Sequence, residues 1–236
     1  MTELSIGARR SFGDWLGRFR VTLAYDIIAR TPLVLWFVFS GVAFTRHLLA
    51  ELGRAPQFGA AELMKALAGA CGVGFLALFT WALLLRRQPM ARATGVFPRV
   101  AAFVGTFSLL GLGFLPRAEL SLTGSVISFV LICSGHAFAC YTLAHLGRSL
   151  SIMAEARRLV VTGPYAYARH PLYLGEAIAS LGFLLQVLSP AAAALWIVQV
   201  SLQLCRMRYE EEVLRRAFPE YGPYAARVAR LVPAVF

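Results

Sequence analysis

LMKALAGACGVGFLALFTWALLL, residues 63–85, carries a single charge, Lys65, and stops against Arg86-Arg87. A helix of this length spans about 35 Å, enough to cross a bilayer's hydrocarbon core of about 30 Å. Nothing in it alternates with the period of a half-buried strand. Outward from this stretch the same texture repeats. Residues 32–50 precede it, with Arg46 and His47 near their end, and residues 100–115 and 122–146 follow. Residues 172–188 and 191–205 are shorter and are joined by Ser189-Pro190, the pattern of a helical hairpin. The predicted fold class is all-α and polytopic, with about six spans, or five if the last hairpin does not fully cross. Gly72-Val-Gly74 has the look of a nucleotide-loop fingerprint but lies inside an apolar run, with no strand before it, so helix packing explains it better. No GxxxG pair, internal repeat or low-complexity stretch stands out.

Composition agrees. The chain is 58% hydrophobic and 15% charged over 236 residues, with a mean hydropathy of +0.66, against about 25% charged in soluble domains. The net charge is +11, and every basic residue but Lys65 is Arg. This charge sits between the apolar runs, which favours lipid headgroups over nucleic acid as its partner. With six spans, residues 1–31, 86–99, 147–171 and 206–236 share one side and hold nineteen arginines, against four basic residues on the other. The positive-inside rule then expects both termini in the cytosol. Residues 1–30 interleave Phe12, Trp15, Leu16, Phe19 and Leu23 with Arg9, Arg10, Arg18 and Arg20, the spacing of an interfacial helix; a disordered basic tail is the alternative. No signal peptide is expected at the start of the chain. Cys71, Cys133, Cys140 and Cys205 fall inside apolar runs with no CxxC pair, which predicts unpaired, buried thiols. His136 and Cys140 share a helix face but are too few for a metal site, and no metal is expected.

The polar residues that carry chemistry concentrate in two blocks. The first runs from His145 through Gly163-Pro164-Tyr165-Ala166-Tyr167-Ala168-Arg169-His170-Pro171-Leu172-Tyr173-Leu174-Gly175-Glu176. Gly163-Pro164 signals a turn, and Pro171 suits the first helical position of the fifth run. The second block, Arg206-Met-Arg208-Tyr209-Glu210-Glu211-Glu212, begins where the sixth run ends and continues to Tyr221 and Tyr224. Arg206 and Glu210 are one turn apart on one face. A sulfonium nucleoside with an amino-acid tail needs a carboxylate for its ammonium, an Arg or His for its carboxylate and aromatic faces for its cation. Both blocks offer these groups, as they would to other zwitterionic ligands. Glu176 falls within a span, where a carboxylate is costly and suggests function, although an ion pair is the bland alternative. Glu210 and Glu211 could equally pair with arginines along a surface helix, and Tyr165, Tyr167 and Tyr224 could be interfacial belt residues.

The pattern from Gly163 to Gly175, followed by Arg206-xxx-Glu210-Glu211-xx-Leu214-xxx-Phe218-xx-Tyr221, resembles the isoprenylcysteine carboxyl methyltransferase family and is similar to the related phospholipid N-methyltransferases. The resemblance covers about residues 140–233. Leu146-Gly147-Arg148-Ser149-Leu150-Ser151 keeps the family's upstream frame, with Leu150 where the family often has Trp. The resemblance implies S-adenosylmethionine as methyl donor and an all-helical membrane fold. It nominates His170, Tyr173, Gly175, Glu210 and Glu211 as cofactor contacts, joined on the same blocks by His145, Gly163, Pro164, Tyr165, Tyr167 and Pro171. Arg169, Arg206 and Glu176 are the candidate catalytic residues. The chain divides into an interfacial segment (1–30), N-terminal membrane helices (31–139) and a membrane-embedded methyltransferase core (140–236). The expected function is methylation of a hydrophobic or lipid-like acceptor at the cytosolic face, on a carboxylate, thiol or amine. The rivals are an NADPH-dependent membrane reductase, since sterol reductases are similar in their C-terminal half, and a transporter or lipid-binding protein.

Overall fold

The computed structural model describes residues 23–54 and 59–233. The interfacial helix expected in residues 1–30 lies mostly outside them. The described chain is a helical bundle: α1 (Leu23–Arg54), α2 (Ala60–Leu85), β1 (Ala91–Arg92), α3 (Phe97–Phe107), α4 (Leu122–Leu146), β2 (Glu155–Ala156), α5 (Pro171–Gln186), α6 (Pro190–Ala217) and α7 (Tyr221–Ala225). A 3-10 segment, Ser108–Phe114, prolongs α3. Every apolar run of the sequence is helical. Among the described residues, three segments are long and apolar enough to cross a membrane: Arg30–Gly53, Glu62–Leu85 and Leu122–Ser149. Their outward faces expose large apolar side chains such as Leu35, Phe39, Trp81 and Val130, as lipid-facing helices do. With the family resemblance, these helices make the chain an integral membrane protein. The four cysteines are unpaired and half-buried within the helices.

The two ends of the bundle differ. At one end Arg30 donates to the Leu84 carbonyl (2.8 Å) and Arg148 to the Leu85 carbonyl (2.7 Å). There β1 pairs antiparallel with β2, Ala91 opposite Ala156. Ala154, Ala156 and Val213 form a small core beneath that pair, so the loop after α2, the loop after α4 and the last turns of α6 are one packed unit. At the other end Arg117 reaches Glu51 (3.0 Å), and the Ala118 amide donates to the Gln186 carbonyl (2.8 Å). Arg30 and the described parts of residues 86–99, 147–171 and 206–233 therefore gather at one end of the bundle.

α4 and α5 make the closest helix contact. A Cβ on Gly175 would lie 2.8 Å from the Ala139 amide nitrogen, and one on Gly182 2.9 Å from the Ser128 carbonyl. Gly135 meets the Ala179 backbone in the same way. The sequence showed no prominent GxxxG, yet Gly135-xxx-Ala139 facing Gly175-xxx-Ala179 does the same job, because alanine is small enough to let backbones meet. α6 packs chiefly along α3 instead. Ser189 caps α6 by accepting from the Ala192 amide (3.2 Å), and Pro190 opens it. The two arms of the hairpin thus lean on different neighbours, and a cavity opens between them.

Candidate functional site

The two polar blocks meet. His170 is the residue before Pro171 at the start of α5, and Glu210 and Glu211 lie on α6 beyond its apolar half. His170 Nε2 donates to Glu211 Oε1 at 3.2 Å. Glu211 is fully buried and is gripped from several sides. Arg230 donates to both of its oxygens (3.0 and 3.1 Å), and Arg169 and Arg215 add ion pairs at 3.0 and 3.2 Å. Burial alone would raise the Glu211 carboxyl. The hydrogen bonds from His170 and Arg230, with the charges of His170 and Arg169, outweigh it and hold the group down at about 2. The chain's last described segment is tied in alongside. The amides of Arg169 and His170 donate to the carbonyls of Ala229 (2.8 Å) and Arg230 (3.0 Å). Glu211 is thus the knot that fastens the Arg169-His170 turn, α6 and the C-terminal strap together.

Glu210, one residue away, faces the other way. It accepts a short hydrogen bond from the Tyr173 hydroxyl and lies 3.9 Å from His170 Nδ1. Arg206, one turn before it, stacks over the Tyr173 ring (5.1 Å). Its guanidinium donates to the Ile152 carbonyl (2.9 Å) and to Thr106 (3.3 Å), while its buried Nε has no partner among the described residues. A turn deeper, Gln203 donates to Glu176 at 3.0 Å. Tyr224 donates to the Tyr165 carbonyl (2.6 Å). The Tyr165 hydroxyl is buried with no partner among the described residues, and burial, with Glu210 nearby, pushes it far above the ordinary phenol range. Burial also pushes Tyr224 up to about 12.

These groups line one cavity of about 340 Å³. Of the residues nominated from sequence, Tyr165, Arg169, His170, Tyr173, Glu176, Arg206 and Glu210 are on its wall. Glu211, Gly163, Pro164, Tyr167, Pro171, Gly175 and His145 are not. Gly175 faces α4, Tyr167 is 73% exposed, and His145 covers Gly163, whose φ of +61° forms the turn before Tyr165. The sequence reading missed Gln199 and Gln203, as well as Arg157, Arg158, His136 as part of this site, and the aromatic part of the wall, Phe37, Phe75, Phe79 and Phe183. The two glutamines had a readable signal. With Arg206 and Glu210 they fall at spacings of four, three and four, one face of a helix, inside a run otherwise apolar.

The family model for isoprenylcysteine carboxyl methyltransferases matches residues 126–216, starting within α4 and ending just before Phe218. Among curated proteins, the chain is 29% identical to a nickel-cobalt-cadmium resistance protein, NccN, of Alcaligenes xylosoxydans xylosoxydans, over 51% of this chain and 67% of the relative. It is 30% identical to a cobalt-zinc-cadmium resistance protein, CzcN, of Cupriavidus metallidurans, over 51% and 66%. It is 36% identical to protein-S-isoprenylcysteine O-methyltransferase B of Arabidopsis thaliana, over 38% of this chain and 49% of the relative. The matched stretch thus spans about two thirds of the first two relatives and half of the third. Residues 126–216, which carry His170, Glu210 and Glu211, match the isoprenylcysteine carboxyl methyltransferase family, and the match supports a methyltransferase of that type.

Proposed function

We propose that the protein transfers a methyl group from S-adenosylmethionine to a hydrophobic, lipid-like acceptor at the cytosolic membrane face. The observation that carries this reading is the single cavity with two chemistries: Arg, Tyr, His and Glu side chains at the end where the basic loops gather, and aromatic and aliphatic ones between the helices. S-adenosylmethionine supplies an activated methyl group when bound. The wall fits it: Glu210 suits the ammonium, Arg169 the carboxylate, and the rings of Tyr165 and Tyr173 the sulfonium. The unpaired Tyr165 hydroxyl and Arg206 Nε are buried polar groups that a ligand would satisfy.

The chain's own contribution is placement and exclusion of water. A donor entering from the polar end and an acceptor entering from the helices would meet near Tyr173 and Glu176. Glu176, held by Gln203, would take the proton from an amine or thiol acceptor; a carboxylate acceptor has none to lose. Six crossings with both termini in the cytosol are the matching topology. In the sequence, nineteen arginines fall in the segments assigned to the side that holds the polar part of the cavity, and the cytosolic side attracts them. Two relatives are named for metal resistance. The donor set on this cavity, arginines and carboxylates beside tyrosines, suits a zwitterionic nucleoside better than a metal ion. Labelled methyl transfer from S-adenosylmethionine into a lipid extract, with calorimetry of S-adenosylhomocysteine, tests the reading. Absence of both incorporation and binding would reject it, and stabilisation by NADPH alone would favour a reductase.

A further inference from the structure

The cavity's membrane half is not purely apolar. Gln199 lies on its wall one turn deeper than Gln203, about 6 Å along α6. The side chain is buried at 1% exposure, yet it makes no hydrogen bond among the described residues; Oε1 is enclosed without a partner. Ser180 is nearby in register, one turn beyond Glu176, but it is already satisfied. It donates to the Ala177 carbonyl and accepts from Trp196 Nε1, each at 2.9 Å. On α4, His136 Nδ1 donates to the Ile132 carbonyl (3.1 Å), which leaves Nε2 as an acceptor in the neutral ring, set between Phe75 and Phe183. An unpaired primary amide inside a membrane bundle is costly, because no bulk water reaches it. A plain prenyl or acyl chain filling this half of the cavity would leave that amide unsatisfied.

We propose that Gln199 binds a second polar group of the acceptor, a hydroxyl or an equivalent group that both donates and accepts, with His136 as a further acceptor on the same membrane side. The inference rests on the methyl-transfer reading and narrows its acceptor. The molecule carries its nucleophile near Glu176 and a hydroxyl roughly one helical turn deeper in an otherwise apolar body.

The test is displacement of a fluorescent long-chain alcohol from the full-length protein in micelles. The competitors are a long-chain mono-alcohol and a series of diols whose second hydroxyl moves along the chain. One diol position should compete about tenfold better than the mono-alcohol, the size of one buried hydrogen bond. Gln199→Leu should collapse that ratio to about one, with S-adenosylhomocysteine binding as the control for folding. If Gln199→Leu does not fold, His136→Phe, on a different helix, should reduce the ratio instead. Equal competition by the mono-alcohol and every diol in the wild type, or a preference that survives both substitutions, would overturn the proposal. Loss of S-adenosylhomocysteine binding by the wild type with the diol preference intact would instead sink the methyl-transfer reading.

Discussion

Glu210 and Glu211 are adjacent, chemically identical and opposite in role. Glu211 is enclosed by three arginines and a histidine, so Glu211→Gln strands buried positive charge. We expect it to lower stability by about 3–5 kcal/mol, read as a fall in thermal midpoint in detergent. Glu210→Gln should leave that midpoint nearly unchanged while weakening S-adenosylhomocysteine binding by tenfold or more, the scale of a lost charged hydrogen bond. Equal midpoints for the two variants would remove the distinction. The pH dependence follows from the same knot. The folded-state carboxyl of Glu211 is depressed, from 4.5 to about 2, so its contribution is complete above about pH 4.5 and is lost as pH falls toward 2. The gap between wild type and Glu211→Gln should therefore narrow across that window and not above it. For Glu176, replacement by Gln should cut turnover about a hundredfold or more if it serves as base, with cofactor affinity retained. An unchanged rate would point to an acceptor that arrives already deprotonated. The sequence could nominate both members of the Glu-Glu pair but could not separate them. Which carboxylate meets the cavity depends on Arg230, nineteen residues on, folding back across α6.

Among the elements, the α4–α5 contact is the most sensitive to volume. Gly175→Ala should destabilise by about 1–3 kcal/mol, the cost of overpacking a tight interface, because its Cβ would press on the Ala139 backbone. Thermal unfolding with and without S-adenosylhomocysteine checks it: an equal loss in both states marks a packing residue, whereas a loss seen only with the ligand would mark a cofactor contact. The helices themselves were readable, since uninterrupted apolar runs in lipid have few alternatives to helix. The partner of each helix was not. Residues 172–188 and 191–205 read as a hairpin, and consecutive helices joined by Ser189-Pro190 they are, but α5 settles on α4 and α6 on α3. Small residues that permit close approach decide this, and they become visible as pairs only when both faces are known. The short β1–β2 pairing was equally hidden, because two residues on each side carry no periodicity.

At the scale of the molecule, sidedness is the main expectation. Thr94 and Thr162 are exposed at the end with the basic loops, and Glu119 is exposed near Arg117 at the other. In a background without the native cysteines, Thr94→Cys and Thr162→Cys should react with an impermeant maleimide only from the cytosolic side, and Glu119→Cys only from the opposite side. Labelling of all three from one side would reverse the proposed topology. Arginine counts carry this expectation, because they report on whole loops and survive errors in any one helix boundary.

One further consequence comes from α6, an uninterrupted helix of 28 residues. Gln199, Gln203, Arg206 and Glu210 all ride on this rod, with Glu211 beside them, so the proposed lipid-side and nucleoside-side grips share a single lever. Any tilt or axial slip produced by occupancy of one grip is delivered to the other without an intermediary. Thermodynamic reciprocity then requires the two ligands to alter each other's affinity by the same factor.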